Sequence, residues 1–245
     1  MKAVEFFCRL FYGIMSEERR GILLMAKKIT EIEAELQEWE FLKQLPKELE
    51  GFNLREGTGI KGNILNIASY VDEANHACVD LIYTGETFDY VIVKNLGLHT
   101  FRDDRFFTRD KDKFAEVVLN KLPSLLQEMG KSKVKQMGYE SEVMGFNEWE
   151  DWKTLPKQIG NFELYITPDD PLEYINGSWV ILDYSDFVNG NQLMFLYNSF
   201  RNELFAEMKK GNLPLTTEEF NANSLEALSA LIKEKLEKTL TGLEK

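Results

Sequence analysis

Apolar positions recur along this chain with two periods, and the switches between them mark out its elements. Ile29, Ile32, Leu36, Trp39, Leu42 and Leu45 stand three or four apart, the spacing of one helix face. Pro46 closes that run, because proline drives the residue before it out of the helical region. The pattern then predicts strands over Phe52-Asn53-Leu54 and Ile64 to Val71. Asp72-Glu73-Ala74-Asn75 reads as a turn, His76 to Tyr83 as a strand, Thr84-Gly85-Glu86 as a turn and Thr87 to Lys94 as a strand. Phe114, Val117, Val118, Leu122, Leu125, Leu126 and Met129 share a second helical stripe.

The same order of elements returns in the second half. EWEFLKQLPK (38–47) reappears as EWEDWKTLPK (148–157), at an offset of 148 − 38 = 110. Leu49, Phe52 and Leu54 match Ile159, Phe162 and Leu164 at the same offset. ILNIASYVDEANHACVDLIY (64–83) lies against VILDYSDFVNGNQLMFLYNS (180–199), which pairs Asn75 with Asn191. Lys94 then pairs with Lys210, and Phe107 with Phe220. Two copies with so long a period indicate a pair of domains, not a solenoid. ELFAEMKK (203–210) has helical propensity, but its counterpart TFDYVIVK prefers a strand, so both are expected to be strands. Leu225, Leu228, Ile232, Leu236 and Leu240 form the closing helix, with Asn223 and Glu226 as its expected capping pair. The predicted fold is α+β: a tandem duplication of an αββββα unit, each an antiparallel sheet with helices packed on one face. The domain boundaries are an N-terminal extension 1–25, a first domain 26–130 and a second domain 131–245. GKSKVKQMGYESE (130–142) is the expected linker.

Composition narrows the setting. The formal net charge is −12, shared by both halves, which disfavours nucleic-acid binding because a phosphate backbone attracts Lys and Arg patches. Cys8 and Cys78 make no disulfide framework, and a reducing bacterial cytoplasm is the expected location. No apolar run reaches the roughly 20 residues of a membrane span. Glu17-Glu18-Arg19-Arg20-Gly21 is encodable by an unbroken purine run resembling a ribosome-binding site before Met25. Two readings of residues 1–24 stand side by side: a translated N-terminal helix, or a segment upstream of the true start.

Chemical motifs are weak. GTGIKG (57–62) satisfies G-x-G-x-x-G, but a strand and not a helix follows it, so a hairpin explains it better than a phosphate site. Asp110-x-Asp112 opens like a calcium loop, yet Lys121 stands where the bidentate acid belongs, and a helix start accounts for both acids. Cys78 sits mid-strand between Ala77 and Val79, the setting of a structural thiol. Neither His76 nor His99 has a ligand neighbour at helical spacing, and no cofactor or metal is expected.

The function expected from these features is a non-catalytic protein-interaction module of the adaptor, immunity or inhibitor kind, with a protein partner and neither nucleic acid nor membrane. Trp152, Trp179 and Tyr184 are the candidate partner-binding residues. One alternative is an enzyme or small-ligand binder with its site between the domains, using Asp183, Asp186 and Asp169. The other is an acidic inhibitor of a nucleic-acid-binding protein.

Overall fold

The structure, a computed structural model, describes residues 29–102, 104–129 and 144–244. The N-terminal extension with its start-site question and the expected linker 130–142 lie outside the described residues. Among those described are three helices and two antiparallel sheets, so the fold is mixed α+β and mostly sheet. The chain forms two compact units. Of the described residues, the first holds 29–74, 78–94, 101–102 and 104–126; the second holds 127–129 and 144–244 together with the two short segments 75–77 and 95–100. No helix among the described residues is long and apolar enough to cross a membrane.

Helix α1 (Ile29–Gln37) is shorter than its apolar stripe predicts. Residues Glu40–Gln44 form a 3-10 turn instead, entered through an extended Trp39. The reason is geometric. In one continuous helix, residues two apart point roughly 200° from each other, so Trp39 and Phe41 could not both face inward. The break lets both bury, with their rings 4.6 Å apart. The matching decapeptide does the same: Asp151–Thr154 is a 3-10 turn, and Trp149 is buried before it.

Strands β1 (Glu48–Leu49), β2 (Phe52–Lys61), β3 (Ile64–Asp72), β4 (Ala77–Thr84), β5 (Asp89–Leu96) and β6 (His99–Arg102) pair in sequence order. GTGIKG falls in β2 and its hairpin. The β2–β3 register shifts between Glu56 and Gly59, and a Cβ on Gly57 would stand 2.3 Å from the Asn66 carbonyl oxygen, so only glycine lets the strands approach there. Helix α2 (Lys111–Met129) follows, its start capped by Asp110, whose carboxylate accepts the amides of Asp112 (2.9 Å) and Lys113 (3.0 Å). Phe114 from α2 packs on Tyr90 from β5 at 5.4 Å.

The second unit contains β7 (Gln158–Ile159), β8 (Phe162–Ile166), β9 (Leu172–Glu173), β10 (Ser178–Asp186), β11 (Asn191–Asn198), β12 (Glu203–Lys210) and β13 (Leu213–Thr216). Their order is β13-β12-β11-β10-β8-β7, with β9 paired separately to β10. Helix α3 (Leu225–Glu244) inserts Leu225, Leu228, Ile232, Leu236 and Leu240 into one core with Phe162, Tyr184, Phe195 and Phe220. Ser224 caps it, not Asn223: its hydroxyl accepts the Ala227 amide at 3.2 Å. A β-bulge at Ile181 shifts the register between Val180 and Leu182, and the adjacent residues Ile181 and Leu182 both join this core.

Corresponding elements recur at a constant spacing of 114 from the third strand onward. The differences are 178 − 64, 191 − 77, 203 − 89, 213 − 99 and 225 − 111. Backbone positions with positive φ recur with it: Gly62 and Asn176, His76 and Gly190, Phe88 and Asn202, Gly97 and Gly211. At this spacing Asn75 falls opposite Asn189, two residues from the Asn75–Asn191 pairing expected from the sequence. A slip of two keeps every side chain on its own face, so an apolar pattern cannot detect it. At the same spacing Phe220 falls opposite the buried Phe106, while Phe107 is exposed.

Candidate functional site

Three residues were expected to anchor a partner, and the structure places them differently. Tyr184 is fully buried in the core of the second unit, where its hydroxyl donates to the Pro156 carbonyl at 2.7 Å. Burial pushes this phenol up to about 12. Tyr70 repeats the arrangement in the first unit, donating to the Pro46 carbonyl at 2.7 Å, and burial pushes it up to about 12 as well. Trp179 belongs to the same core as Tyr184. Trp152 is half-buried and lines a shallow surface hollow with Trp149, Leu155, Ser229, Ile232 and the Asp151–Lys233 pair. The Lys233 ammonium donates to Asp151 at 3.1 Å and, with Ser229, holds the Asp151 carboxyl below the ordinary range. Of the three, Trp152 keeps a face toward solvent.

The acids divide in the same way. Asp169 is exposed. Asp186 is fully buried, and its job is conformational. One oxygen accepts the amides of Val188 (3.1 Å) and Asn189 (3.0 Å), and the other accepts the carboxamides of Asn189 (2.8 Å) and Asn191 (3.3 Å). That carboxylate builds the turn between β10 and β11.

Asp183 is the centre of a buried polar cluster that the sequence did not reveal. His99 Nε2 lies 2.9 Å from Asp183 Oδ2, the Ser185 hydroxyl donates to both carboxylate oxygens at 3.1 Å, and Gln192 Nε2 donates to Oδ2 at 2.8 Å. Asp183, Ser185 and Gln192 are wholly inaccessible, and His99 is 1% exposed. Lys209 lies half-buried nearby and donates to the Leu98 carbonyl at 3.2 Å; desolvation lowers its pKa against the opposing pull of Asp183 and Glu207. All of these residues belong to the second unit.

Serine, histidine and aspartate are the residue types of a hydrolytic triad, but the connectivity differs. A triad needs the imidazole between the acid and the hydroxyl, so that it can take the serine proton. Here the carboxylate stands between them, and both are its partners. Asp183, Ser185 and Gln192 have no solvent exposure, and the cluster supplies the buried carboxyl group with hydrogen-bond partners. A signal for it was present in VILDYSD, where alternation puts Asp183 and Ser185 on one face of a strand. Nothing in that pattern points to a histidine 84 residues earlier.

At the surface of the second unit, the sequence reading passed over Ile175 and Phe200. They are 63% and 81% exposed. Phe200 sits on a turn held by several hydrogen bonds. The Arg201 amide donates to Asn198 Oδ1 (3.0 Å), Asn198 Nδ2 donates to the Asn176 carbonyl (3.0 Å), and the Ser199 amide and hydroxyl both donate to the Gly177 carbonyl (2.9 and 3.0 Å). Its ring lies against Gly177, where a Cβ would come within 2.7 Å of it. The available signal was an aromatic among turn formers, NSFRN, where it has no core to enter.

Against this geometry, comparison with known proteins gives no counterpart: the chain matches no protein-family model, no curated protein and no solved structure.

Proposed function

We propose that this protein is a non-catalytic protein-interaction module of a bacterial cytoplasm, and that Phe200 is an anchor for its partner. One observation carries the reading: a phenylalanine 81% exposed on a turn fixed by hydrogen bonds. An apolar ring in water costs free energy that burial in a partner would recover, and a pre-ordered turn loses little conformational entropy on binding. Trp152, at its hollow beside the Asp151–Lys233 pair, is the second anchor. The two units are read as a tandem duplication with helices on one face of each sheet. The constant spacing of 114 and the repeated tyrosine-to-prolyl-carbonyl hydrogen bond support this.

The test is capture at native expression level from the protein's own host, followed by native mass spectrometry, with wild type beside Phe200→Ser and Trp152→Ala. A stoichiometric protein held by wild type and lost with Phe200→Ser is expected. A wild-type eluate carrying no protein, or a partner that both variants retain in full, would sink the reading.

A further inference from the structure

The chain contains two Asn-Gly pairs, Asn176-Gly177 and Asn189-Gly190, and the structure places them in opposite chemical situations. Both lie in turns with a left-handed glycine, at φ +69° and +70°. In any Asn-Gly pair the glycine amide nitrogen can attack the asparagine side-chain carbonyl. The reaction needs that nitrogen to give up its proton and the side chain to swing toward it.

At Asn189-Gly190 both requirements are opposed. The Gly190 amide donates to the Asp186 carbonyl at 2.9 Å, so the nucleophile is engaged. The Asn189 carboxamide donates to Asp186 Oδ2 at 2.8 Å, so the electrophile is held. The Asp186 carboxylate also disfavours forming a second anion beside it.

At Asn176-Gly177 the chain makes a two-residue turn in which the Ser178 amide donates to the Ile175 carbonyl at 3.1 Å. Asn176 has φ +54° and is exposed. Among the described residues, neither the Asn176 carboxamide nor the Gly177 amide makes a hydrogen bond.

We infer that Asn176 is a site of spontaneous covalent modification, deamidation through a cyclic imide, and that Asn189 is protected by its turn. The Gly177 nitrogen forms a bond to the Asn176 side-chain carbonyl carbon. The bond to the side-chain nitrogen breaks, and that nitrogen leaves as ammonia carrying the glycine proton. Water then opens the five-membered imide at either carbonyl, giving aspartate or isoaspartate. No oxidant, reductant or enzyme is required.

The position gives the reaction a consequence. The Asn176 carbonyl accepts from Asn198, and Asn198 in turn holds Arg201 in the turn that displays Phe200. An isoaspartate lengthens the main chain by one carbon at that support and adds a negative charge. The chemistry stands whether or not Phe200 is a partner anchor.

The experiment ages the folded full-length protein in mildly alkaline buffer and follows both sites by peptide mapping, with a parallel sample in concentrated urea. In the folded protein Asn176 is expected to convert at least an order of magnitude faster than Asn189, and in urea the two rates are expected to converge. Equal rates in the folded protein, or an intact Asn176 in folded protein while the urea sample reacts, would overturn the inference. A second reading uses isoaspartyl methyltransferase labelling of aged protein: Asn176→Gln is expected to remove most of the label, and full labelling of that variant would also overturn it.

Discussion

Each sheet carries a carboxylate met by side-chain donors, and the two are built differently. In the first unit Asp80, on β4, accepts from the Ser69 hydroxyl (2.5 Å), Asn66 (3.3 Å) and Cys78 (3.3 Å), and it is only partly buried. In the second unit the acid is Asp183, on β10, which at the spacing of 114 falls opposite Ser69 on β3 (183 − 69 = 114). It is completely buried and is met by a histidine and a carboxamide. The lesson concerns compensation. Asp183, which has no solvent exposure, counts a histidine among its partners, because a carboxyl group that water cannot reach must find its hydrogen bonds within the protein.

The largest effect should follow from removing the imidazole. His99→Leu leaves Asp183 buried without its ring partner and is expected to cost about 3 kcal/mol in urea unfolding. The matching change in the first unit, Ser69→Ala, should cost about 1 kcal/mol. Losses of equal size would erase the distinction between the two acids. A double variant His99→Leu, Asp183→Leu should recover part of the first loss, because the unmet carboxyl group is removed with its partner.

The tyrosines sharpen the comparison from the other side, where the units agree. Tyr70→Phe and Tyr184→Phe should each cost about 1 kcal/mol, and by the same amount, since each loses one hydrogen bond to a prolyl carbonyl. Both phenols are raised from 10.0 to about 12, so the folded state holds these protons more tightly than the unfolded state. Their contribution is therefore complete below pH 10.0 and drains away as the pH climbs toward about 12. Thermal melts across that window should fall steeply for wild type and less steeply for the double phenylalanine variant.

Helix caps give a similar paired test. Asp110→Ala and Ser224→Ala should each lower stability by about 1 kcal/mol, read by the same unfolding curves. The smallest effect on stability belongs to Phe200→Ser, expected within about 0.5 kcal/mol of wild type, because an exposed ring away from any cap or core contributes little to folding. A larger loss would mean that Phe200 serves the fold, and the partner reading would lose its anchor.

Much of this architecture was legible from periodicity. The strand identity of ELFAEMKK came from its position, against its own propensity, and β12 confirms it. The two-residue register was not legible, because the strand period is itself two. The short strands β6 and β13 were missed as well; LPLT carries a proline and is exposed throughout, so neither propensity nor alternation marks it. The site was far less readable than the fold. Tyr184 and Trp179 resemble interface aromatics in composition, but VILDYSD and its partner strand are buried on both faces, a property of what lies above and below a strand and not of the strand. The His99–Asp183 contact joins residues that no local rule connects.

That contact also sets an order of events. His99 leaves the ribosome well before Gln192, 93 residues later in the chain. At about 5–20 residues per second, synthesis of the intervening chain takes roughly 5–20 s. Through that interval His99, at the start of β6, has no Asp183 carboxylate to meet, and the second unit cannot close until its own strands arrive. The nascent chain is completed from behind, its later-made strands returning to receive a histidine laid down long before.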